Sequence, residues 1–119
     1  MAEKDAFVTH HASCNLIMRD GIAPVYYMLK AGMNVAMGMD EKGINDDEDP
    51  FMEMRMIYFL HRHAGISLTE CPALSPYEVL RLATVNGARP TGFAGEIGGL
   101  RPGMKADMIL VNTQEILNA

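Results

Sequence analysis

The sequence lacks tryptophan, has two cysteines in 119 residues and carries no excess of basic side chains. Cys14 and Cys71 form neither a disulfide framework nor a metal-binding spacing, and without a signal-peptide pattern they predict a reducing, cytoplasmic location. The net charge of −5 argues against a nucleic-acid partner, because neutralising phosphates needs a basic surface. No apolar run approaches the roughly 20 residues of a membrane span, so no membrane partner is expected.

The composition is that of a folded globular domain. Hydrophobic residues make up 49% and charged residues 21% of the chain, enough apolar material for a core. Eleven methionines are expected to fill that core, including those at positions 52, 54 and 56. A complete eight-stranded α/β barrel needs roughly 200–250 residues, so the chain is about half as long as one.

Short apolar runs alternate with helical patterns along the chain. The predicted strands span residues 6–9, 33–39 and 108–111. The predicted helices span residues 25–31, 50–64 and 76–87; an Asp49–Pro50 cap begins the second, and a Ser75–Glu78 capping box begins the third. Strands that alternate with helices favour a parallel α/β arrangement.

Asp40 is the strongest candidate for chemistry among these residues. It follows the apolar strand predicted over 33–39, and in parallel α/β folds ligands and catalytic groups collect at the carboxyl ends of strands. A carboxylate beside a buried strand needs a metal, a cationic partner or backbone donors. The alternative is an ordinary exposed acid at a strand end.

His10 and His11 follow the first predicted strand, at the equivalent position. Adjacent strand residues point to opposite faces, so at most one of the two faces a site beside Asp40. By themselves, the two residues are better explained as ordinary loop histidines than as site residues.

Three further motifs are explained without a ligand. His61 and His63 lie two apart on a predicted helix, which does not suit a metal pair, so they are expected to be surface histidines that interact with the helix dipole. The acidic run 45–49 lacks the spacing of a calcium-binding EF-hand loop, although an acidic calcium module remains an alternative. The glycine-rich stretch 95–99 precedes neither a helix nor Gly-Lys-Ser/Thr, which argues against a phosphate loop.

Three stretches resemble the amidohydrolase superfamily, most closely its ring-deaminase and chlorohydrolase branch. They are VTHHASCNL with GIAP in residues 8–24, AGMNVAMGMD with ND and EMR in residues 31–55, and ATVNGAR with IGGLRPGMKADMILV in residues 83–111. The third stretch is the most specific, because it resembles the family's G-x-L-x-P-G-K-x-A-D-L return to a small β domain. The match covers nearly the whole chain.

The resemblance implies an α/β fold that forms the C-terminal portion of a metal-dependent hydrolase (β/α)8 barrel. Residues 1–91 would hold barrel strands seven and eight, and residues 92–119 would return to a small β-sandwich through a strand at 108–111. Asp40 would be the strand-eight aspartate, which in this family contacts the metal and accepts a proton from the bound water. His10 and Asn15 would border the substrate.

The activity implied is hydrolysis of a C–N bond, with deamination of a nitrogen heterocycle by water activated on zinc or iron. The family's His-x-His, its two later histidines and its acid–base glutamate have no counterpart here. Since catalytic zinc needs about three protein ligands, the piece alone is expected to hold metal weakly and to be inactive. The expected partners are the substrate and the missing barrel portion or another chain. The alternative is a non-catalytic module that self-associates through exposed strand edges.

Overall fold

The computed structural model describes residues 6–40, 48–62 and 73–116. The elements follow the order β1 (Phe7–His10), α1 (Ala12–Met18), α2 (Val25–Lys30), β2 (Asn34–Met37), α3 (Pro50–Leu60), α4 (Pro76–Ala83) and α5 (Thr113–Ile116). None of the helices within these residues is long and apolar enough to cross a membrane.

The two strands pair in parallel, as the alternation of strands and helices predicts. The register places Val8 opposite Val35 and His10 opposite Met37. The amide of Gly38 donates to the carbonyl of His10 at 3.0 Å, which continues the ladder one residue beyond β2. The chain between the strands contains α1 and α2, so the unit is a βαβ crossover.

The core lies where the helices pack against β2. Its buried members are Ala12, Val25, Val35, Ile57, Leu74, Val79 and Leu82. Met54 and Met56 pack against this cluster, which confirms the prediction for these two methionines. Met52 is 41% exposed, so the prediction that it packs in the core is wrong.

The predicted helix caps are confirmed at α3 and α4. Asp49 Oδ1 accepts hydrogen bonds from the amides of Phe51 at 2.8 Å and Met52 at 3.2 Å. Ser75 Oγ accepts from the amide of Glu78 at 3.2 Å, and Glu78 Oε2 accepts from the amide of Ser75 at 2.7 Å. These bonds satisfy amide groups that have no partner within the first turn of a helix.

The structure contains two short helices that the sequence patterns did not predict, α1 and α5. His11 is the N-cap of helix α1, and its side chain makes no capping hydrogen bond, so the usual sequence signal for a helix start is missing. The first turn of α1 is nevertheless buried, because Ala12, Ser13 and Cys14 lie inside the protein. Burial against the rest of the fold therefore accounts for this helix.

Asn86 ties the segment after α4 to β2. Its Nδ2 donates to the carbonyl of Val35 at 2.9 Å, and Asn34 Nδ2 donates to the carbonyl of Asn86 at 3.2 Å. Because the amide of Gly38 faces β1, the backbone groups of Val35, three residues earlier, face the other edge of β2. Asn86 thus satisfies a carbonyl on the outer edge of the sheet.

The glycine-rich segment, residues 95–99, packs against the end of α4. Gly98 has φ +86, and a Cβ on it would lie 2.9 Å from the Thr84 carbonyl oxygen and 2.9 Å from Val85 Cα. The backbone is therefore too close there for any side chain. Lys105 holds the same segment through its amide, which donates to the Glu96 carbonyl at 2.9 Å, and through its ammonium, 2.6 Å from Glu96 Oε2.

The prediction of a strand over residues 108–111 is wrong for this chain by itself, because these residues form neither helix nor strand. A strand needs a hydrogen-bonded neighbour, and in the described part of the chain β1 and β2 pair only with each other. Met108, Ile109 and Leu110 are 61, 76 and 100% exposed. The place of this segment in a small β-sandwich, and the division between residues 91 and 92, stay predictions.

Candidate active site

Asp40 lies at the carboxyl ends of β1 and β2, at the place predicted for it. It is exposed and follows Met37, the last residue of β2, by three positions. Its Oδ2 accepts a hydrogen bond from Cys14 Sγ, 3.0 Å away in the first turn of α1. The segments that follow the two strands therefore meet at this carboxylate.

The thiol of Cys14 is buried and held in its neutral form. Its hydrogen bond to Asp40 raises the pKa of the thiol to about 11, with further contributions from burial and from the charges of Asp40, Asp20 and Glu53. At neutral pH the side chain is a thiol that donates to a carboxylate. The sequence assigns Cys14 no contact with Asp40, since the helix that carries Cys14 is not predicted; it indicates only a reducing compartment and a place in the VTHHASCNL stretch.

Glu53 of α3 fixes the start of α1. Its side chain is 2% exposed, and its Oε1 accepts a hydrogen bond from the amide of Ser13 at 3.2 Å. A carboxylate is favourable beside the first amides of a helix, because these amides are unpaired within the helix and carry partial positive charge. Glu53 therefore helps to place Cys14, the residue next to Ser13.

Asn15, predicted to border the substrate, lies on α1 beside Cys14 and is half-buried. Its carbonyl accepts a hydrogen bond from the amide of Asp20 at 2.9 Å, which closes the C-terminal end of α1. Asn15 is thus on the same short helix as the residue that contacts Asp40. Its role toward a substrate stays a prediction.

His10 packs into the helical layer. It is 2% exposed, and its Nε2 lies 3.1 Å from Nε2 of His61, the residue that ends α3. His61 is 6% exposed, so the prediction of a surface histidine is wrong; this end of α3 packs against β1 instead of facing water. His63 lies outside the described residues. The substrate role predicted for His10 stays a prediction, and in this chain His10 supports the end of β1.

His11 lies against Gly38, on the side of the sheet away from His10. Its Nε2 is 3.0 Å from Thr9 Oγ1, and a Cβ on Gly38 would lie 2.4 Å from the Cε1 atom of its ring. The alternation of strand residues predicts this separation of the two histidines. Of the two side chains, that of His11 lies against Gly38 in the segment that leads to Asp40.

We expect Gly38→Ala to lower the free energy of unfolding by about 1–3 kcal/mol, because the new methyl group overlaps the His11 ring. Gly38 is not among the residues with positive φ, so the substitution adds no backbone strain. In a His11→Ala background the same change should cost much less. Urea unfolding of the original chain, the two single variants and the double variant gives the coupling energy between positions 11 and 38. Equal costs in both backgrounds would show that the ring does not occupy this space.

We also expect the chain to lose stability as the pH falls below the ordinary His10 pKa of 6.5. Burial lowers the pKa of His10 in the folded chain, and the neighbouring charge of His11 lowers it further. The unfolded chain therefore binds more protons below pH 6.5. The contribution of His10 to the free energy of unfolding is fully present above this pH and is lost as the pH falls toward the lower pKa of the folded chain. Each tenfold difference in the proton affinity of His10 between the folded and unfolded chains changes the free energy of unfolding by about 1.4 kcal/mol.

Thermal unfolding between about pH 8 and pH 5 tests this pH dependence. The His10→Gln chain is the control, because it keeps a polar side chain that does not titrate. Its melting temperature should fall less steeply with acidification than that of the original chain. Parallel profiles for the two chains would rule out a contribution from His10.

The described residues contain only part of any metal site. Within residues 6–40, 48–62 and 73–116, no group of three or more His, Cys, Asp or Glu side chains could hold a metal ion. Asp40, an exposed carboxylate at the strand ends, has the oxygen donors of a single metal ligand. Most of the acidic run considered for calcium, residues 45–47, lies outside the described residues, and Asp49 caps α3.

Comparison with known sequences identifies the family. The family model described as the amidohydrolase family matches residues 1–119. The chain belongs to the amidohydrolase family. It is 41% identical over 115 residues to a 5'-deoxyadenosine deaminase of Methanosarcina mazei, a match that covers 97% of this chain and 26% of the relative. It is 40% identical over 108 residues to a 5-methylthioadenosine/S-adenosylhomocysteine deaminase of Syntrophomonas wolfei, covering 91% and 24%.

The solved structure of an adenosine deaminase shares the fold of this amidohydrolase chain. The zinc-bound adenosine deaminase of Xanthomonas campestris superposes with a TM-score of 0.79 and 34% identity, over 89% of this chain and 24% of that protein. The chain thus spans about a quarter of the length of the relatives it matches. These matches confirm the superfamily resemblance seen in the sequence motifs.

Proposed function

We propose that this chain supplies the Asp40 side of the active site of a metal-dependent amidohydrolase that deaminates a nitrogen heterocycle. The observation that carries the proposal is an exposed carboxylate, held by Cys14, at the carboxyl ends of two parallel strands. The relatives named above are deaminases, which supports this reaction class. Strands β1 and β2 would be barrel strands seven and eight.

In the proposed reaction a water oxygen attacks the ring carbon that bears the amino group. A divalent metal, which is zinc in the Xanthomonas campestris relative, would act when bound as a Lewis acid and lower the pKa of water. Asp40 is the ligand that the described part of the chain would contribute. Its carboxylate would accept the proton of the attacking water and return it to the leaving amine as the C–N bond breaks. Asn15 would meet the substrate from α1.

Two measurements test the proposal. In the first, the 119-residue chain is incubated with zinc, dialysed and analysed for metal and for ammonia release from adenosine derivatives. We expect neither retained metal nor turnover, because one carboxylate ligand is too few. In the second, the chain replaces the matching quarter of the Methanosarcina mazei relative. This chimera should release ammonia from 5'-deoxyadenosine in a zinc-dependent manner. A folded, zinc-loaded chimera that releases no ammonia would contradict the proposal, as would turnover by the chain alone.

Exposed apolar surface favours the alternative, a non-catalytic role through association with another chain. Leu100, Ile109 and Leu110 are 79, 76 and 100% exposed. A groove of about 730 Å³ lies between residues 97–109 and the strand residues Thr9 and Ala36, and it contains neither Asp40 nor Asn15. Surfaces of this kind mark association sites in soluble proteins. Light scattering tests this alternative, which a monomer at high concentration would contradict.

A further inference from the structure

Asp40 and its hydrogen-bond donor differ sharply in exposure. Asp40 is exposed on the segment after β2, whereas Cys14 is 7% exposed in the first turn of α1. An exposed carboxylate exchanges rapidly among rotamers unless a fixed group holds it. The thiol, 3.0 Å from Oδ2, is such a group because burial restricts its own motion.

The helix that carries this thiol is fixed to the rest of the fold. Ala12 and Ser13, the two residues before Cys14, are 0 and 5% exposed. The amide of Ser13 donates to the buried carboxylate of Glu53 on α3. Contacts thus run from Glu53 through the start of α1 to Cys14 and then to the carboxylate of Asp40.

We propose that Cys14 is a positioning residue for Asp40. The thiol of Cys14 holds Oδ2 of Asp40 and so fixes the orientation in which this carboxylate meets the reacting groups. This inference rests on the proposed function of Asp40. Hydrogen-bonded partners of metal-ligating and proton-accepting side chains orient them, and their loss lowers metal affinity or activity about 10- to 100-fold. Serine at position 14 keeps a hydroxyl donor, whereas alanine removes it.

The first test observes the hydrogen bond in the 119-residue chain without any activity. Cys71 is replaced by serine, so that the Raman S–H stretching band reports Cys14 alone. We expect this band to lie at lower frequency than in the Asp40→Ala chain, because hydrogen bonding weakens the S–H bond. Asp20→Ala is the matched control, since it removes a nearby acid whose charge acts on Cys14 without a hydrogen bond, and it should leave the band in place. Equal band positions with and without the Asp40 carboxylate would overturn the proposal.

The second test uses the chimera described above, in its zinc-loaded form. We expect Cys14→Ala to lower kcat about 10- to 100-fold with little change in KM, and Cys14→Ser to restore most of the loss. Bound zinc is measured for each variant. Equal losses in the alanine and serine variants, or a change confined to KM, would contradict a positioning role. An inactive unsubstituted chimera would contradict the proposed function and any catalytic consequence of Cys14, whereas the Raman bands would still decide whether the contact exists.

Discussion

Asp40→Asn in the zinc-loaded chimera is expected to lower kcat about 10²- to 10⁴-fold, the range over which a positioned proton acceptor contributes to a reaction. Asparagine has nearly the same size as aspartate and keeps an oxygen that can accept from Cys14. It cannot accept a proton from water. The substitution therefore removes the proposed chemistry while the neighbouring contacts stay in place.

The control for this experiment is Asp20→Asn, which changes another exposed acid, after α1. Its kcat should match that of the unsubstituted chimera. Asp40 is exposed, so both substitutions should also leave the melting temperature nearly unchanged. An Asp40→Asn chimera that binds zinc and keeps its kcat would remove Asp40 from the reaction.

Ile57→Ala is expected to lower the free energy of unfolding of the 119-residue chain by about 2–5 kcal/mol. Ile57 lies on α3, is 0% exposed and belongs to the core cluster against which the partly buried methionines pack. Truncation removes buried methyl groups and leaves a cavity that the neighbouring helices fill only in part. The loss is a large share of the stability of a small domain.

Phe59→Ala provides the matched control on the same helix. Phe59 loses more atoms on truncation than Ile57, but it is 62% exposed, so we expect a cost below about 1 kcal/mol. Urea unfolding followed by far-UV circular dichroism measures both variants. Should Ile57→Ala leave the chain unfolded in water, Ile57→Val keeps the site measurable at an expected cost of about 0.5–1.5 kcal/mol. A larger cost at Phe59 than at Ile57 would contradict the packing described.

The parts of the fold that depend on neighbouring residues were predictable from the sequence. Asp49 and the Ser75–Glu78 pair cap their helices through bonds that span two or three residues. Helix α1 was not predicted, because its stability comes from burial and from Glu53, 40 residues away from Ser13. Residues 108–111 have strand-forming side chains but no strand partner in the described part of the chain, and composition alone does not reveal this.

In the candidate site, too, one feature was predictable from the sequence and the contacts between distant residues were not. The position of Asp40 followed from one rule, that polar groups of parallel α/β folds collect beyond the carboxyl ends of strands. The contact between Cys14 and Asp40 joins residues 26 apart, and that between His10 and His61 joins residues 51 apart. No spacing rule connects residues so distant along the chain, so these two pairs required the three-dimensional arrangement.

The hydrogen bond from Asn86 to Val35 has a consequence for the time course of folding during synthesis. β2 is complete once residue 37 has been made, and it can then pair with β1. The carbonyl of Val35, on the outer edge of β2, receives its hydrogen bond only after Asn86 has been made, 51 positions after Val35. At the about 5–20 residues per second of translation, this delay is about 3 to 10 s. Through that interval the Val35 carbonyl stays available to water, to other nascent chains and to chaperones.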